Sequence, residues 1–183
     1  MSIKHSVEQI IIYICYIINI FVPKNKKQVF FYSMPDYSDN ARAIYEELVS
    51  QKLNEKYKII WAVRDVEKYK KILKDVIVVR HRSIKNFICF CRSYYIFRTH
   101  SLWGNLYVQN RQKMFVAWHG MPLKSLLEGN PKPYKCDYLN TTSPFFEKHI
   151  YSAVAIPKGD NPSVGLARND LLLKNNNIIS DLG

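Results

Sequence analysis

The chain has 183 residues, 48% of them hydrophobic and 14% aromatic, with 27 lysines and arginines against 15 aspartates and glutamates and a formal net charge of +12. One domain is the expected size, and the apolar content excludes a wholly disordered chain. The basic surplus favours an anionic partner (nucleic acid, acidic lipid headgroups or a phosphorylated substrate) without choosing among them, and a solvated basic surface with no specific partner is the bland alternative.

Residues 7–22, "VEQIIIYICYIINIFV", form the most apolar stretch. As a helix they would reach about 24 Å, short of a hydrocarbon core of ~30 Å. At 100° per residue Val7, Ile10, Ile11, Ile14, Ile17, Ile18 and Phe21 share one face, while His5, Glu8, Gln9, Tyr16 and Asn19 gather opposite, with Ile12 the exception among them. Lys24, Lys26 and Lys27 follow, where anionic headgroups would meet them. The segment does not suit a secretory leader, which needs a basic start and a small-residue cleavage site. Residues 1–23 therefore read as an amphipathic helix, either lying in a membrane interface or packing its apolar face on the protein's own body, with a full span third.

From residue 28 onward strands and helices alternate. The strand candidates are 28–33, 57–63, 76–79, 94–99 and 114–118; helices are expected over 38–53, capped by Ser38 or Asp39, and over 65–74 and 83–93. Continuous apolar strands separated by helices predict one α/β domain over 28–183, a Rossmann-like parallel sheet flanked by helices on both faces. Beyond residue 130 the pattern loosens, with a strand at 137–142 and a helix at 143–154 that has Ser143 as cap and Pro144 at its first position.

Four cysteines, Cys15, Cys89, Cys91 and Cys136, include no CxxC pair, so buried reduced thiols in a cytosolic protein fit better than a disulfide framework or a zinc site, and no metal is expected. GxGxxG, GxxxxGK[ST], GxSxG and HExxH are absent, and no nucleic-acid motif accompanies the charge, so nucleic acid is not an expected partner.

Three places could carry chemistry. In "MFVAWHGMPLK" (114–124) an apolar strand runs into His119, and ligands of open parallel sheets bind at strand carboxyl ends. Gly120 removes a side chain there, Pro122 suits a first helical turn, and a helix N-terminus would favour a neutral imidazole and a bound phosphate, with Lys124 adding a cation. A structural histidine is the alternative. In "GLARND" (165–170) Arg168 can fork two donors onto a phosphate, and Asn169 and Asp170 can cap a helix over 171–174. The hydroxyls of Thr141, Thr142 and Ser143 at a helix start also suit an anion, though plain capping accounts for Ser143.

With those segments in hand the chain resembles the CDP-glycerol glycerophosphotransferase family, which builds teichoic-acid-type poly(glycerol phosphate). "YSDNARAIYEEL" (37–48) is similar to the segment after that family's first strand, "WHGMPLK" (118–124) resembles its WHGTPLK signature and "GLARND" its GxPRND signature. Met121 stands where the family has Thr, and Ala167 where it has Pro. The resemblance implies the N-terminal domain of a GT-B fold, with the nucleotide-binding second domain missing, so that the chain is expected to be an acceptor-side half, incomplete or split, with a separate C-terminal half as a partner.

It also implies transfer of glycerol phosphate from CDP-glycerol, with no cofactor, to a lipid-linked or polymeric anionic acceptor in the synthesis of teichoic-acid or capsule-type surface polymers. The place would be the cytoplasmic face of the cell membrane, as a peripheral protein. By the same resemblance His119 would be the general base, Lys124 and Arg168 would steady phosphates, and Gly120 would keep the approach open. A non-catalytic module that binds anionic polymer or lipid at a membrane surface is the alternative.

Overall fold

The computed structural model describes residues 3–103, 106–120, 134–147, 155–158 and 163–170. Its centre is a six-stranded sheet of β1 (Asn25–Tyr32), β2 (Lys58–Val63), β3 (Ile77–Arg80), β4 (Ser93–Arg98), β5 (Lys113–Val116) and β7 (Tyr138–Leu139), in the order β3-β2-β1-β4-β5-β7 and parallel at every pairing. β6 (Tyr134–Cys136) and β8 (Ala155–Pro157) pair in a separate parallel ribbon.

The sequence explains this order. Parallel neighbours need crossovers, and those crossovers are right-handed. Helices α2 (Asp39–Ser50) and α3 (Val66–Ile72) carry the chain outward from β1 to β2 and β3. Helix α4 (Ile84–Arg92) then returns it to β4, on the other side of β1. Strand order therefore reverses between β1 and β4, and their carboxyl ends flank the crevice where open sheets of this kind bind ligands.

Both sheet faces are buried, which is why β1 is apolar without alternation. On one face Val29, Phe31, Trp61 and Val63 pack under Ala41 and Tyr45 of α2, with Tyr69 of α3 beside them. A single register row of aromatic side chains crosses this face: Trp61, Phe31, Phe97, Phe115 and Tyr138, each in ring contact with the next. On the other face Phe30, Ile60, Val79 and Ile96 meet Phe90 and Cys91 of α4 and a further helix, α1 (Ile3–Phe21).

Helix starts follow local chemistry in two cases. Asp65 accepts from the Lys68 amide at 3.0 Å and Ser83 Oγ from the Asn86 amide at 3.1 Å. Ser38 differs from expectation: its hydroxyl donates back to Pro35 O at 2.6 Å, and Asp39 turns its carboxylate to another partner described below. The strand expected over 137–142 is only two residues long. The Asp137 carboxylate, with Tyr107 and Lys113 as partners, also accepts the Met114 amide at 2.9 Å, taking a donor the ladder would otherwise use. The helix expected over 143–154 begins at Pro144 and is helical through Glu147; its remainder lies outside the described residues, as does 171–174.

The docking of α1 is the main surprise. Its apolar stripe does not pack on the body. Ile10 is 58% exposed and Phe21 76%, with Val7, Ile11, Ile14 and Ile18 also exposed, while the inward face is Ile12, Cys15, Tyr16 and Asn19. Burial of this helix thus turns on a polar residue. Asn19, fully buried, donates to Leu106 O at 2.5 Å and to Gln112 Oε1 at 2.9 Å, and Gln112 in turn donates to Phe90 O and Ser93 O, both at 3.0 Å. Lys24 closes the joint on Asn19 Oδ1 (2.5 Å) and Cys91 O (2.7 Å). No helix among the described residues is long and apolar enough to cross a membrane. Replacing Asn19 by Ala removes its donors from Leu106 O and Gln112 Oε1 and should cost about 1–3 kcal/mol, read as a lower urea midpoint at unchanged m-value.

Candidate functional site

The site lies on the sheet's carboxyl edge, and the backbone takes it past the last strand residue. Ala117 N donates to Arg98 O at 2.7 Å and Asn140 N to Val116 O at 3.2 Å, so residues 117–120 leave β5 in a fixed direction. Trp118 O then accepts from Asn40 Nδ2 at 2.6 Å, which ties this segment to the first turn of α2.

His119 follows, half-buried, its ring lying between two others. His100, from the end of β4, stacks on it at 4.6 Å between centroids and 7° between planes; Trp118 lies at 4.1 Å and 34°. His119 Nδ1 is buried and has no hydrogen-bond partner among the described residues. His100 is fixed from behind, its Nδ1 2.8 Å from Thr99 Oγ1. Burial first, then the neighbouring His119 and, least, Arg98, pull His100 below the usual imidazole range, with Asp39 opposing. Burial and the stacked neighbour thus both disfavour the protonated form of His100.

Arg168 reaches the same place from the other end of the chain. Its backbone amide donates to Asn40 Oδ1 at 3.0 Å, and its Nη1 donates to Asp39 Oδ1 at 2.7 Å. A Cβ built on Gly120 would sit 3.8 Å from Arg168 Nη2, so the guanidinium flanks Gly120 at ordinary van der Waals distance. The turn that delivers Arg168 requires a glycine: Gly165 has φ +80°, in the left-handed region, where its amide donates to Thr141 O at 3.0 Å and its carbonyl accepts from Asn140 at 3.3 Å.

Of the residues singled out in the sequence, His119, Gly120 and Arg168 come together. Asn169 and Asp170 lie exposed on the short 3-10 turn Ala167–Asn169 and just after it. Ser143 is half-buried, and its carbonyl accepts the Phe146 and Glu147 amides, as a helix start does. The nearby Thr141 hydroxyl is engaged with Glu147 and Ser163. Lys124, with Met121 and Pro122, lies outside the described residues.

Sequence reasoning missed Asp39, Asn40 and His100. Asp39 and Asn40 were visible as a helix start, and nothing local marked them as a bridge. The available signal was topological: α2 begins at the carboxyl end of β1 and His100 ends β4, so both flank the strand-order reversal.

The chemistry on offer is two stacked imidazoles next to a guanidinium held along one edge by a carboxylate. That suits proton transfer close to an anion. Among the described residues no three His, Cys, Asp or Glu side chains are grouped to hold a metal.

An open parallel sheet whose strand order reverses, with a histidine and an arginine at its carboxyl edge, places the chain in the class of α/β proteins whose ligands bind at that edge. The chain belongs to the CDP-glycerol:poly(glycerophosphate) glycerophosphotransferase family, whose model matches residues 14–181. Its fold is similar to that of the wall teichoic acid polymerase TagF. A histidine-to-alanine variant of that enzyme matches at 18% identity with a TM-score of 0.72, over 98% of this chain and 52% of the other. A further TagF structure matches at 20% identity and TM-score 0.69, over 97% and 49%. A histidine-to-asparagine variant soaked with CDPG matches at 20% and 0.69, over 91% and 49%. At these identities the likeness establishes the fold, and the chain spans about half the length of the structures it matches. No curated protein matches at a significant level.

Asn40→Ala would strip partners from both Trp118 O and the Arg168 amide. The expected cost is about 1–3 kcal/mol in chemical unfolding, with faster amide exchange at Arg168 than at the sheet centre.

Proposed function

We propose that this chain is the acceptor-side part of an enzyme that transfers glycerol phosphate from CDP-glycerol to a hydroxyl of an anionic, lipid-linked or polymeric acceptor in the synthesis of a teichoic-acid or capsule-type surface polymer. The convergence of the three family-like segments on one point, with Asn40 joining Trp118 to Arg168 beside His119, carries this reading. Family membership supports the reaction class, and the donor is supported by the CDPG-soaked relative. A second half, supplied by a separate chain or by a longer one, would complete the nucleotide site.

In the proposed step His119 accepts the proton of the acceptor hydroxyl as that oxygen attacks the β-phosphorus of CDP-glycerol. The new P–O bond forms to the acceptor, the bond to the bridging oxygen breaks, and CMP leaves with the electron pair. Arg168, steered by Asp39, and Lys124 would offset charge on the transferring phosphoryl group, with most of the rate coming from positioning and charge stabilisation. No cofactor is required. His119→Ala should lower CMP release from CDP-glycerol by about 100-fold or more in the assembled enzyme, measured with a lipid-linked glycerol phosphate acceptor. Equal turnover in both forms would remove His119 from the chemistry.

The outward apolar face of α1 supports a membrane-surface location on the cytoplasmic side. Exposed isoleucines followed by exposed Lys26 and Lys27 fit an acidic bilayer surface, where an interfacial helix buries its apolar face and its flanking lysines meet headgroups. The wild-type chain should float with vesicles containing phosphatidylglycerol, and an Ile10→Glu/Ile14→Glu variant, altered only on the exposed face, should stay in the soluble fraction with unchanged thermal unfolding. Flotation by both would remove α1 from the interaction.

A further inference from the structure

A cleft of about 460 Å3 opens at the carboxyl ends of β1 to β4, lined by Tyr32, Arg64, His81, Arg82, His100 and Ser101 among others. It sits at the strand-order reversal, where this kind of sheet receives its ligands, and not at the end of β5 where His119 was sought. His100 belongs to both places: one face stacks on His119 and the residue also lines the cleft. The cleft is therefore continuous with the site already described.

Its lining is cationic, and the acid beside Arg64 is committed. Asp36 Oδ2 accepts the Arg64 amide at 2.7 Å and the Asp65 amide at 3.3 Å, so it holds the loop after β2 in place. Among the described residues neither the Arg64 nor the Arg82 guanidinium has a carboxylate partner, and both are exposed. His81 is held firmly: its amide donates to Val63 O at 2.6 Å and its ring stacks on Tyr32 at 5.2 Å and 9°. Burial first, then Arg82 and Arg64, pull His81 below the usual imidazole range, with Asp36 opposing. Two exposed guanidinium groups without a carboxylate partner, Arg64 donating to Met34 Sδ at 2.7 Å, line with two ordered imidazoles a recess that an anion would complete, since an oxyanion offers each arginine a charge-assisted acceptor.

We propose that this cleft is a subsite for a phosphodiester of the acceptor, the link adjacent to the hydroxyl that His119 serves. The proposal rests on the transfer reading above and adds to it where the growing polyanion lies. A poly(glycerol phosphate) end reaching His119 must continue somewhere, and the row of strand ends leads past His100 to Arg64 and Arg82. The donor's diphosphate is the other source of the same chemistry, so the test separates the two.

Binding to the full chain would be measured calorimetrically with a synthetic trimer of glycerol phosphate, with CDP-glycerol and with inorganic phosphate, for wild type, Arg64→Ala/Arg82→Ala and Arg64→Lys/Arg82→Lys. Both arginines are exposed, and matching thermal melts would confirm intact folding. The alanine pair should weaken the trimer about 10-fold or more and flatten its salt dependence by about one to two counterions, with CDP-glycerol affinity unchanged within about two-fold. The lysine pair should recover part of the loss, since point charges replace planar forks. Unchanged trimer binding in the alanine pair would overturn the subsite while leaving the His119 result on CMP release intact. Weakening of CDP-glycerol instead of the trimer would assign the cleft to the donor and also overturn it. Failure of the wild-type chain to bind the trimer at all would overturn the acceptor reading together with the subsite.

Discussion

The buried amide of Asn40 is the contact on which the site depends. One end of it accepts from the Arg168 backbone, 128 positions away in sequence, and the other donates to Trp118, 78 positions away. A primary amide can do this because it carries donor and acceptor on one rigid plane, whereas an aspartate at that position would turn an acceptor toward the Trp118 carbonyl. Asn40 is placed by the loop before it, in which Ser33 Oγ donates to Pro35 O at 2.8 Å and accepts the Ser38 amide at 3.0 Å. The loop is held to β4 in turn, where Thr99 N donates to Tyr32 O. The chain of dependence thus runs from the β1–β4 pairing, through a serine-stapled loop, to one amide and the two segments it joins.

The same logic explains why the site sits on an edge and the rest of the molecule is a support. The aromatic row from Trp61 to Tyr138 fixes the register of five strands, and a one-residue slip would move every one of those rings to the other face. With register fixed, the ends of β1, β4 and β5 arrive at one level, and His100 and His119 meet face to face. Helix α1 uses the opposite strategy: it is fastened by polar atoms and leaves its oily side outside. That inversion leaves a contiguous row of apolar side chains exposed to water.

Much of the fold was legible in the sequence. Strands rich in Val, Ile and aromatic residues, separated by helix starts such as Asp65 and Ser83, fix an α/β class, and crossover handedness leaves few strand orders. The position of His119 was legible because an apolar strand followed by Gly120 and Pro122 puts it at a strand's carboxyl end, where the structure has it. Asn40 was not, since a buried bridging asparagine looks in sequence like any residue in a first helical turn. The outward face of α1 was not legible either. Helical periodicity separates two faces but says nothing of which one turns inward, and here Asn19 turned inward against seven apolar residues by donating to Leu106 O and Gln112 Oε1 in the core. Arg64 and the neighbouring pair His81 and Arg82 come from two loops that no spacing rule connects; only the strand order brings them together.

The central claim is that His119 and His100 form one anion-facing pair, positioned to serve an acceptor's hydroxyl. The most direct measurement is the side-chain nitrogen NMR spectrum of the histidines in the full chain, recorded at neutral pH during titration with a short glycerol phosphate oligomer. The account predicts that the His100 and His119 signals shift together along a single binding curve, while that of His5, on the far helix, stays still. An oligomer that binds with no movement of His119, or that moves it no more than His5, would contradict it.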